Sequence, residues 1–342
     1  MQMFDHSKID FTVDKFILNE IPKDMGRGLK KISIDEDGKK VEEVIGLTSP
    51  GYEIVDYKKI VGTLENALIS ASENPKTKLN LKDTEFTTNV FDSGRKMELR
   101  AKFHGQKTHI LDRKDCSEIE WRNSLVVPEF IFRSSHDRSW ANNGMMGVWR
   151  NACWNTLVSG SKLAYVYGKH TKNFNIEVFG NKIRTAFDYI SGTNIKKMRR
   201  WYTIPVTRKQ AENLFRNTLA INTDNVDREN KGNTTMIKNL MKIFDEEVRH
   251  IHGRALYQKY ATNADTDGTL HCVYQAATAW SSKPSKMTGK NDYDGHYINL
   301  SNPSQEDCGI VKNREARVIN MLRSKHWDEL DPLSNVPEKV AA

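Results

Sequence analysis

The sequence predicts an α+β protein, with an antiparallel β-rich N-terminal half covered by helices from the C-terminal half. Short apolar runs bounded by turn residues fill the first half of the chain, which is typical of strands. From residue 181 onward, apolar residues recur at helical spacing. These observations predict a β-rich core with one early helix over residues 1–190, a helical region with a basic cluster over 191–330, and a disordered tail over 331–342.

Turn and cap residues place the elements of the first half. KKVEEVIGLTS is typical of a strand that leaves the turn at residues 35–38, and Asp56 can cap a helix that ends near Ser72. TEFTTNVF and KMELRAKF flank the Asp-Ser-Gly triplet at 92–94, which is hairpin chemistry. SLVVPEFIF is typical of a buried strand, and KLAYVYG with NFNIEVFG predicts a second hairpin over residues 162–180.

Helical periodicity and a capping box predict that the second half of the chain is mostly helical. NKIRTAFDYI predicts a helix that the SGTN segment ends, and Thr207 with Gln210 forms a capping box for the next helix. The almost wholly polar residues 222–235 predict a mobile loop. A helix with periodic apolar residues from Ile237 follows, then a helix at TLHCVYQAATAW, residues 269–280, and a last short helix at NREARVINMLRSKHW.

Charge and cysteine content limit the function classes. The 342 residues carry a formal net charge of +8, which favours an anionic partner: nucleic acid first, then an acidic protein or a membrane surface. The alternative is charge that only keeps the protein soluble. The four cysteines form no CxxC pair, so the pattern favours a reduced compartment over a zinc ribbon or a disulfide framework. Because the N-terminus lacks an apolar signal segment, we expect a cytoplasmic protein with no membrane span.

Motifs for metal, nucleotide and cofactor chemistry are missing from the sequence. There is no HExxH, no paired-acid pattern of two-metal nucleases, no P-loop and no Rossmann fingerprint. His250 and His252 fall on different faces of a predicted helix, and no carboxylate-rich motif accompanies His104 and His109. We therefore expect no metal, no cofactor and no nucleotide hydrolysis.

The stretch FIFRSSHDRSW holds the first candidate site. His136 and Asp137 would point to opposite faces if the strand continued, but they can converge in a loop. Ser134, Ser135 and Cys153 are the available nucleophiles for a His-Asp pair, and no GxSxG elbow supports a hydrolase. The interpretation we favour is a turn in which Ser135 and Asp137 hydrogen-bond backbone groups.

The segment RNACWN adds a second group of polar residues at 150–155. Arg150 could contact a phosphate or a base, or it could pair with Asp137 in the interior. Cys153 could be a nucleophile, although a cysteine between apolar neighbours is more often buried and inert. The sequence leaves both alternatives open.

The basic segment NIKKMRRWYTIPVTRK, residues 194–209, is the strongest physical cue. Cations crowd there without an acid, and Trp201 and Tyr202 lie among them. Cations neutralise phosphates and rings stack on bases, at about 1–3 kcal/mol per stack, so the pattern is typical of a single-stranded nucleic-acid site. The alternative is a solvated helix end with both rings in the core. The cations are Lys196, Lys197, Arg199, Arg200, Arg208 and Lys209.

Several short segments, in the same order along the chain, resemble a known family. FDSGRKMELRAKF, SSHDRSW, RNACWN, GKHTKNF and TLHCVYQAATAW are similar to segments of the phage- and plasmid-encoded proteins grouped as a domain of unknown function, DUF932. The family usually has Gly where Arg138 stands and Asn where Gln275 stands. Arg138 also adds a positive charge beside His136, which suits an anion contact better than a catalytic acid.

The resemblance implies a mobile genetic element. Such elements often carry single-strand annealing proteins such as Redβ, RecT and Erf, which are basic, oligomeric α+β proteins that work without nucleotide hydrolysis; this step is analogy at the level of fold class. We therefore expect a single-stranded DNA-binding protein of a phage or plasmid, a recombination or strand-annealing factor that forms a homo-oligomer.

The expected DNA groove has two parts. Trp201 or Tyr202 would stack on bases beside a row of cations. Those cations are Arg138, Arg150, Lys196, Lys197, Arg199 and Arg200. The family segments would build the polar turn that shapes the groove, from Ser135, His136, Asp137, Cys153, Asn155 and His170.

Two other classes of protein remain open. A phage protein that binds and inhibits a host protein would use its positive charge to steer association with an acidic partner. A Cys- or His-dependent hydrolase would lose turnover on Cys153→Ala or His136→Ala. No substrate suggests itself for a hydrolase, so that class ranks last.

Overall fold

The computed structural model describes residues 3–19, 22, 25–74, 79–150, 155–158, 164–168, 170, 178, 181, 195–220, 234–252, 268–282 and 305–333. Within these residues a three-stranded and a seven-stranded antiparallel sheet pack with helices from both halves of the chain. The predicted α+β class is therefore confirmed.

The three-stranded sheet precedes the first helix. It comprises β1 (Thr12–Phe16), β2 (Arg27–Ile34) and β3 (Lys40–Thr48), paired in that order. The predicted turn at residues 35–38 joins β2 to β3, and Asp35 closes it by accepting from the backbone amide of Lys39 at 2.8 Å. Leu29, Ile45 and Tyr52 form a small core at the base of this sheet.

The first helix, α1 (Tyr57–Glu73), begins where the sequence predicts. The Asp56 carboxylate accepts from the backbone amide of Lys58 at 2.9 Å and caps the helix. The apolar residues at helical spacing are all buried, namely Ile60, Val61, Leu64, Leu68 and Ala71. Their burial, rather than helix propensity alone, holds α1 against the rest of the core.

The seven-stranded sheet forms the centre of the molecule. Its strands are β4 (Thr84–Phe91), β5 (Lys96–Phe103), β6 (Thr108–His109), β7 (Leu125–Ser135), β8 (Asn142–Arg150), β9 (Asn155–Val158) and β10 (Tyr165–Gly168). They pair in the order β10-β8-β7-β5-β4, with β6 on β7 and β9 on β8, and α2 (Glu118–Asn123) precedes β7. Strand β7 is buried along almost its whole length, as predicted for SLVVPEFIF.

The predicted hairpin between β4 and β5 is confirmed. Asp92, Ser93 and Gly94 adopt φ angles of 53°, 54° and 97°, which lie in the left-handed region. A Cβ on Gly94 would lie 2.8 Å from the ring of Phe11, so both the backbone angle and the close approach favour glycine there.

The C-terminal half supplies most of the helices. They are α3 (Ile195–Trp201), α4 (Arg208–Thr218), α5 (Thr234–His252), α6 (Leu270–Ser282), α7 (Gln305–Leu322) and α8 (Lys325–Leu330). A two-stranded ladder, β11 (Pro205–Val206) with β12 (Gly268–Thr269), ties the start of α4 to the start of α6. The capping box of Thr207 and Gln210 and the two predicted helices after it are confirmed.

The end of the chain differs from the prediction in two ways. Helix α7 begins at Gln305, eight residues before the NREARVINMLRSKHW segment predicted to form the last helix, and Ser324 caps a separate helix, α8. Asp331 was assigned to a disordered tail, yet it is 1% exposed because its carboxylate accepts hydrogen bonds from Arg200 and Trp201. The remaining tail residues, from 334, lie outside the described residues.

Several other predicted elements lie largely outside the described residues. The NKIRTAFDYI helix, the SGTN boundary and the NFNIEVFG strand fall almost wholly outside the described residues, as does most of the 222–235 loop. Both described halves contribute buried side chains to one large core cluster that reaches from Met3 to Trp327, apart from the small core of the three-stranded sheet.

One face of the large sheet is apolar. The pairing register places Leu99 beside Phe132 on this face. Phe86, also on this face, packs edge-on against Phe4 with ring centroids 5.2 Å apart. The backbone amide of Phe4 in turn donates to Glu65 of α1 at 3.1 Å. The N-terminal segment and α1 therefore cover the apolar face.

The opposite face carries a buried ionic network. Arg100 donates to Glu98 at 2.8 Å and to Glu129 at 3.2 Å. Arg133 donates to Glu98 at 2.7 Å and to Glu315 of α7 at 2.5 Å. Burial would raise the pKa of Glu98, but the two guanidinium groups outweigh it and lower that pKa to about 2. The ionised network fastens α7 to this face of the sheet.

Candidate functional site

The SSHDRSW segment reverses the chain between β7 and β8, and we name residues 135–142 the 135–142 turn. The Ser135 hydroxyl donates to the Trp140 carbonyl at 3.0 Å and accepts from the Trp140 amide at 2.8 Å. The Asp137 carboxylate accepts from the amide and the hydroxyl of Ser139, at 2.9 and 2.6 Å. Both side chains hydrogen-bond backbone groups, so the favoured interpretation of this segment is confirmed.

His136 is buried beneath the turn. Its side chain stacks on Tyr57 with ring centroids 4.2 Å apart, and its backbone amide donates to the Arg95 carbonyl. Burial, together with the nearby His170, lowers the pKa of His136 to about 3. The imidazole is therefore neutral at pH 7, and its buried Nδ1 has no hydrogen-bond partner among the described residues.

A second tyrosine–histidine stack supports the same turn. Tyr52 stacks on His170 with ring centroids 5.1 Å apart, and its hydroxyl donates to the Ser135 carbonyl at 3.1 Å. Burial lowers the pKa of His170 to about 4. The structure thus brings His170 to Ser135, His136 and Asp137, as the grouping of these residues in the sequence analysis anticipates.

The described residues of the turn do not assemble a Ser-His-Asp arrangement. Ser134 donates to Asn142 at 2.7 Å, and Ser135 is engaged by Trp140. The Asp137 carboxylate faces Lys96 at 3.2 Å. Cys153 lies outside the described residues. A nucleophile bonded to His136, which a hydrolase would need, does not occur in the part of the site that the structure describes.

Cations surround the 135–142 turn. The ammonium group of Lys96 pairs with Asp137, and that of Lys312 from α7 donates to the Ser139 carbonyl at 3.1 Å. Both ammonium groups lie over the Trp140 ring, 5.9 and 5.8 Å from its centroid. Arg138 is exposed, and neither it nor Lys312 forms an ion pair with a described carboxylate.

The pKa of Lys312 reflects both its burial and the charges around it. Burial lowers its pKa, and the like charges of Arg133 and Lys96 lower it further against the opposing effect of Asp137. An anion placed here would relieve that repulsion. The turn is therefore chemically suited to a phosphate or another oxyanion.

The backbone of Arg138 has an unusual conformation. Its φ angle is 66°, in the left-handed region that favours glycine. Holding a non-glycine residue there costs on the order of 1 kcal/mol, and such strain tends to occur at functional positions. Glycine would adopt this backbone conformation without strain. At this position the chain carries an exposed, positively charged side chain, which a glycine would not supply.

A cavity of about 230 Å³ lies beside the turn. His136 and Tyr57 form one side of it, and Phe11, Asp14 and Asp56 are among the other lining residues. Pockets for drug-sized ligands measure about 300–1,000 Å³, so this space suits water or one small group. Groups of three or more metal-ligating side chains do not occur within the described ranges, and no helix there combines the length and apolarity needed to cross a bilayer.

The basic helix α3 lies at the other end of the sheet. Arg199 donates to the Ile110 carbonyl at 2.6 Å and to the Asp112 carboxylate at 2.7 Å. Ile110 follows β6, which pairs with the first residues of β7, whereas the 135–142 turn follows the last. At about 3.3 Å per residue, the 11 residues of β7 separate the two ends by roughly 33 Å.

The aromatic residues of the basic segment are core residues. Trp201 is 4% exposed and donates to Asp331 at 2.8 Å. Tyr202 is 3% exposed and stacks on His271, with ring centroids 3.6 Å apart. Because stacking on a base needs an accessible ring, the predicted role of both residues is wrong. The alternative interpretation, two rings in the core behind a helix end, is the correct one.

The expected groove is not continuous. Arg150 is buried, donates from Nε to the Asn123 carbonyl at 3.0 Å, and pairs across the ladder with Val126 at the start of β7. The backbone of Asn155 pairs with Arg150 and shares that location. At the same end of the sheet, Lys196 is exposed, Lys197 is half-buried, and Arg199 and Arg200 face carboxylates. Arg138 alone of the predicted cations lies at the turn end.

Sequence reasoning missed three side chains at the turn end. Lys96 could have been found, because the confirmed β4–β5 hairpin and strand pairing place it opposite Ser135. Tyr167, 52% exposed on β10 and paired with Asn143, stands in a predicted strand whose orientation the sequence does not specify. Lys312 carries no signal, because it lies 173 residues beyond Ser139.

The fold and this site define an α+β protein with a cation-rich turn at one end of an antiparallel sheet. The chain belongs to the family described as Domain of unknown function (DUF932), whose model matches residues 45–316. The resemblance indicated by the short segments is thus confirmed, and the 135–142 turn lies inside the matched region. Searches of curated proteins and of solved structures find no significant match.

Proposed function

We propose that this chain is a single-stranded DNA-binding protein that acts, without hydrolysing a nucleotide, as a recombination or strand-annealing factor of a phage or plasmid. The observation that carries the proposal is the cation-rich turn, where Lys96, Arg138 and Lys312 surround one paired carboxylate, Asp137. Nucleic-acid affinity comes chiefly from neutralised phosphates, which is the chemistry this turn offers. The annealing role rests on the analogy with basic α+β annealing proteins.

The rigidity of the turn supports the proposal. The bonds of Ser135 to Trp140 and of Asp137 to Ser139 fix the backbone that carries Arg138. A site whose donors are already in position loses less conformational entropy when its ligand binds. The buried histidines then support the turn as neutral packing groups, and the exposed Arg138, with the partly buried Lys96 and Lys312, makes the contact.

An exposed aromatic ring favours a single strand over a duplex. Tyr167 pairs across the ladder with Asn143, one residue beyond the 135–142 turn. Lys96, on β5, lies about three strand spacings from Tyr167 on β10, or roughly 14 Å. A single strand crossing this end of the sheet could place its phosphates on the cations and one unpaired base on the ring.

The test is fluorescence anisotropy with a labelled single-stranded oligonucleotide and its duplex, across a salt series. We expect tighter binding to the single strand and an affinity that falls as salt rises. Arg138→Ala/Lys312→Ala should weaken binding and reduce the slope of log K against log salt by about 1.4, at about 0.7 for each lost phosphate contact. The matched control is Lys196→Ala/Lys209→Ala, which removes the same charge from exposed residues outside the turn.

Three outcomes would contradict the proposal. If the affinity does not change with salt, the protein does not bind through phosphate contacts. If the control variant loses as much affinity as Arg138→Ala/Lys312→Ala, the turn is not the binding site. An absence of binding at low salt would exclude single-stranded DNA altogether. A protein partner would then be the remaining target for the positive charge.

A further inference from the structure

The three-stranded sheet exposes an unusual amount of apolar surface. In and beside it, six large apolar side chains are more than 40% exposed: Ile17, Met25, Ile34, Val41, Val44 and Leu47. Scattered exposed apolar residues are ordinary, but a concentration on one small element is typical of an interaction surface. Half of these residues belong to or flank the edge strand β3.

The outer edge of β3 has no partner strand among the described residues. The register shifts opposite Leu29 and Lys30 of β2, where β3 contributes the extra residue Ile45, so the regular part of the edge is the segment 40–44. The Asp35 amide donates to the Lys39 carbonyl within the hairpin. Because bonded and non-bonded pairs alternate along an antiparallel ladder, Lys40, Glu42 and Val44 direct their amides and carbonyls outward.

The charges along this edge are ordered so that the strand is complementary to an antiparallel copy of itself. The sequence runs Lys39, Lys40, Val41, Glu42, Glu43, with two cations before the valine and two carboxylates after it. Edge strands are often protected from pairing by charges of one sign. Here the two signs are ordered so that an antiparallel copy places each cation opposite a carboxylate.

We propose that β3 pairs with β3 of a second copy, antiparallel about Val41, and joins two three-stranded sheets into one of six strands. In this register Lys40 faces Glu42 of the second copy, Lys39 faces Glu43, and the two Val41 side chains meet on the twofold axis. The outward amides and carbonyls of Lys40 and Glu42 then bond to each other across the interface.

Charge selects this register over its neighbour. Shifting the pairing to the next position with outward-facing groups places Glu42 opposite Glu42, which is repulsive. Within the chain, Glu42 already lies 2.8 Å from Lys30 and 2.6 Å from Lys40, but exposed pairs of this kind contribute little. Lys39 and Glu43 form no ion pair with any described residue, so they remain available to the second copy.

The residues of this interface lie outside the 135–142 turn and outside the region that the family model matches. The proposed contact uses residues 39–44, and the family match begins at residue 45. The association should therefore occur without nucleic acid. Its failure would leave the proposal for the 135–142 turn untouched, because the two tests share no residue.

The experiment uses two charge-swapped forms of the full chain, studied without DNA. One is Lys39→Glu/Lys40→Glu, with an all-acidic edge, and the other is Glu42→Lys/Glu43→Lys, with an all-basic edge. Size-exclusion chromatography with light scattering should show a dimer for the unchanged chain. Each form alone should be a monomer because like charges face each other, and an equimolar mixture should form a heterodimer.

The control is Glu36→Lys/Asp37→Lys, which makes the same charge change as the all-basic form but in the exposed hairpin turn. It should dimerise like the unchanged chain, and circular dichroism should show that every form is folded. The proposal is overturned if the unchanged chain stays monomeric at its highest soluble concentration. It is equally overturned if the swapped forms still self-associate, or if they are monomeric and their mixture fails to associate.

Discussion

The two ends of the seven-stranded sheet handle positive charge in opposite ways. At the α3 end, Arg199 and Arg200 each face a carboxylate, and the aromatic residue beside them is buried. At the turn end, neither Arg138 nor Lys312 forms an ion pair with a described carboxylate. The segment that is richest in cations along the sequence is thus the one whose arginines the fold pairs with carboxylates. Local charge density in a sequence therefore does not measure the charge that a ligand can reach.

Burial explains why Arg200 is paired with a carboxylate and Arg138 is not. A partly buried guanidinium needs a carboxylate, because an unpaired charge away from water is strongly unfavourable. Arg200 packs beside the core residue Trp201, and Asp331 serves both side chains. Arg138 sits on an exposed turn, where water satisfies its charge until a ligand replaces it.

Replacing Asp331 with Ala should damage the α3 end most. The Trp201 indole and the Arg200 guanidinium would lose their shared acceptor, so we expect the free energy of unfolding to fall by about 2–4 kcal/mol in urea denaturation. Glu329→Ala is the matched control, because this 67% exposed carboxylate should be worth less than about 0.5 kcal/mol. DNA affinity should be unchanged while both forms are folded; a specific loss of affinity would move the site to α3.

Replacing His136 with Gln should make the turn end less sensitive to acid. The folded pKa of about 3 lies below the unfolded value of about 6.5, so the unfolded state takes up a proton that the folded state does not. Above the unfolded pKa, His136 is neutral in both states and does not reduce stability. As pH falls from there toward the folded pKa, the free energy of unfolding decreases, because only the unfolded state takes up the proton. From about pH 7.5 to about pH 5 the loss should be about 2 kcal/mol.

Urea denaturation at several pH values would measure that difference. The Gln variant should be less stable than the unchanged chain near neutrality, because the stack on Tyr57 is lost, and the gap should narrow toward pH 5. Identical pH dependence in both forms would mean that folding does not lower the pKa of His136.

Replacing Tyr167 with Ala should have the smallest of these effects. Loss of one stacking ring should weaken single-stranded DNA binding by about 1 kcal/mol, or roughly fivefold in Kd. Tyr167→Phe keeps the ring and should bind like the unchanged chain in the same anisotropy assay. If Tyr167→Phe and Tyr167→Ala weaken binding equally, the hydroxyl and not the ring contributes the affinity.

Elements that depend on neighbouring residues were predictable. The Asp-Ser-Gly hairpin, the Asp56 cap and the Thr207 capping box each use signals within a few residues, and all three are confirmed. The polar turn was predictable for the same reason, because Ser135 and Asp137 bond to residues within five positions.

Features that depend on distant residues were not predictable. Lys312 reaches the turn from 173 residues away, and Asp331 meets Arg200 from a separation of 131. A basic and aromatic segment is compatible with either a groove or a packed helix end, and only the tertiary contacts decide. The misassignment of Trp201 and Tyr202 came from this ambiguity.

The pairing of Arg133 with Glu315 has a consequence for synthesis of the chain. The two residues are 182 positions apart, so at about 5–20 residues per second the ribosome makes Glu315 roughly 10–40 s after Arg133. During that interval the strands can pair, but Arg133 lacks the carboxylate that seals its face of the sheet. A nascent or prematurely terminated chain would expose that face to proteases and chaperones. Because Glu315 belongs to α7, the buried ionic network can be completed only after α7 has been synthesised.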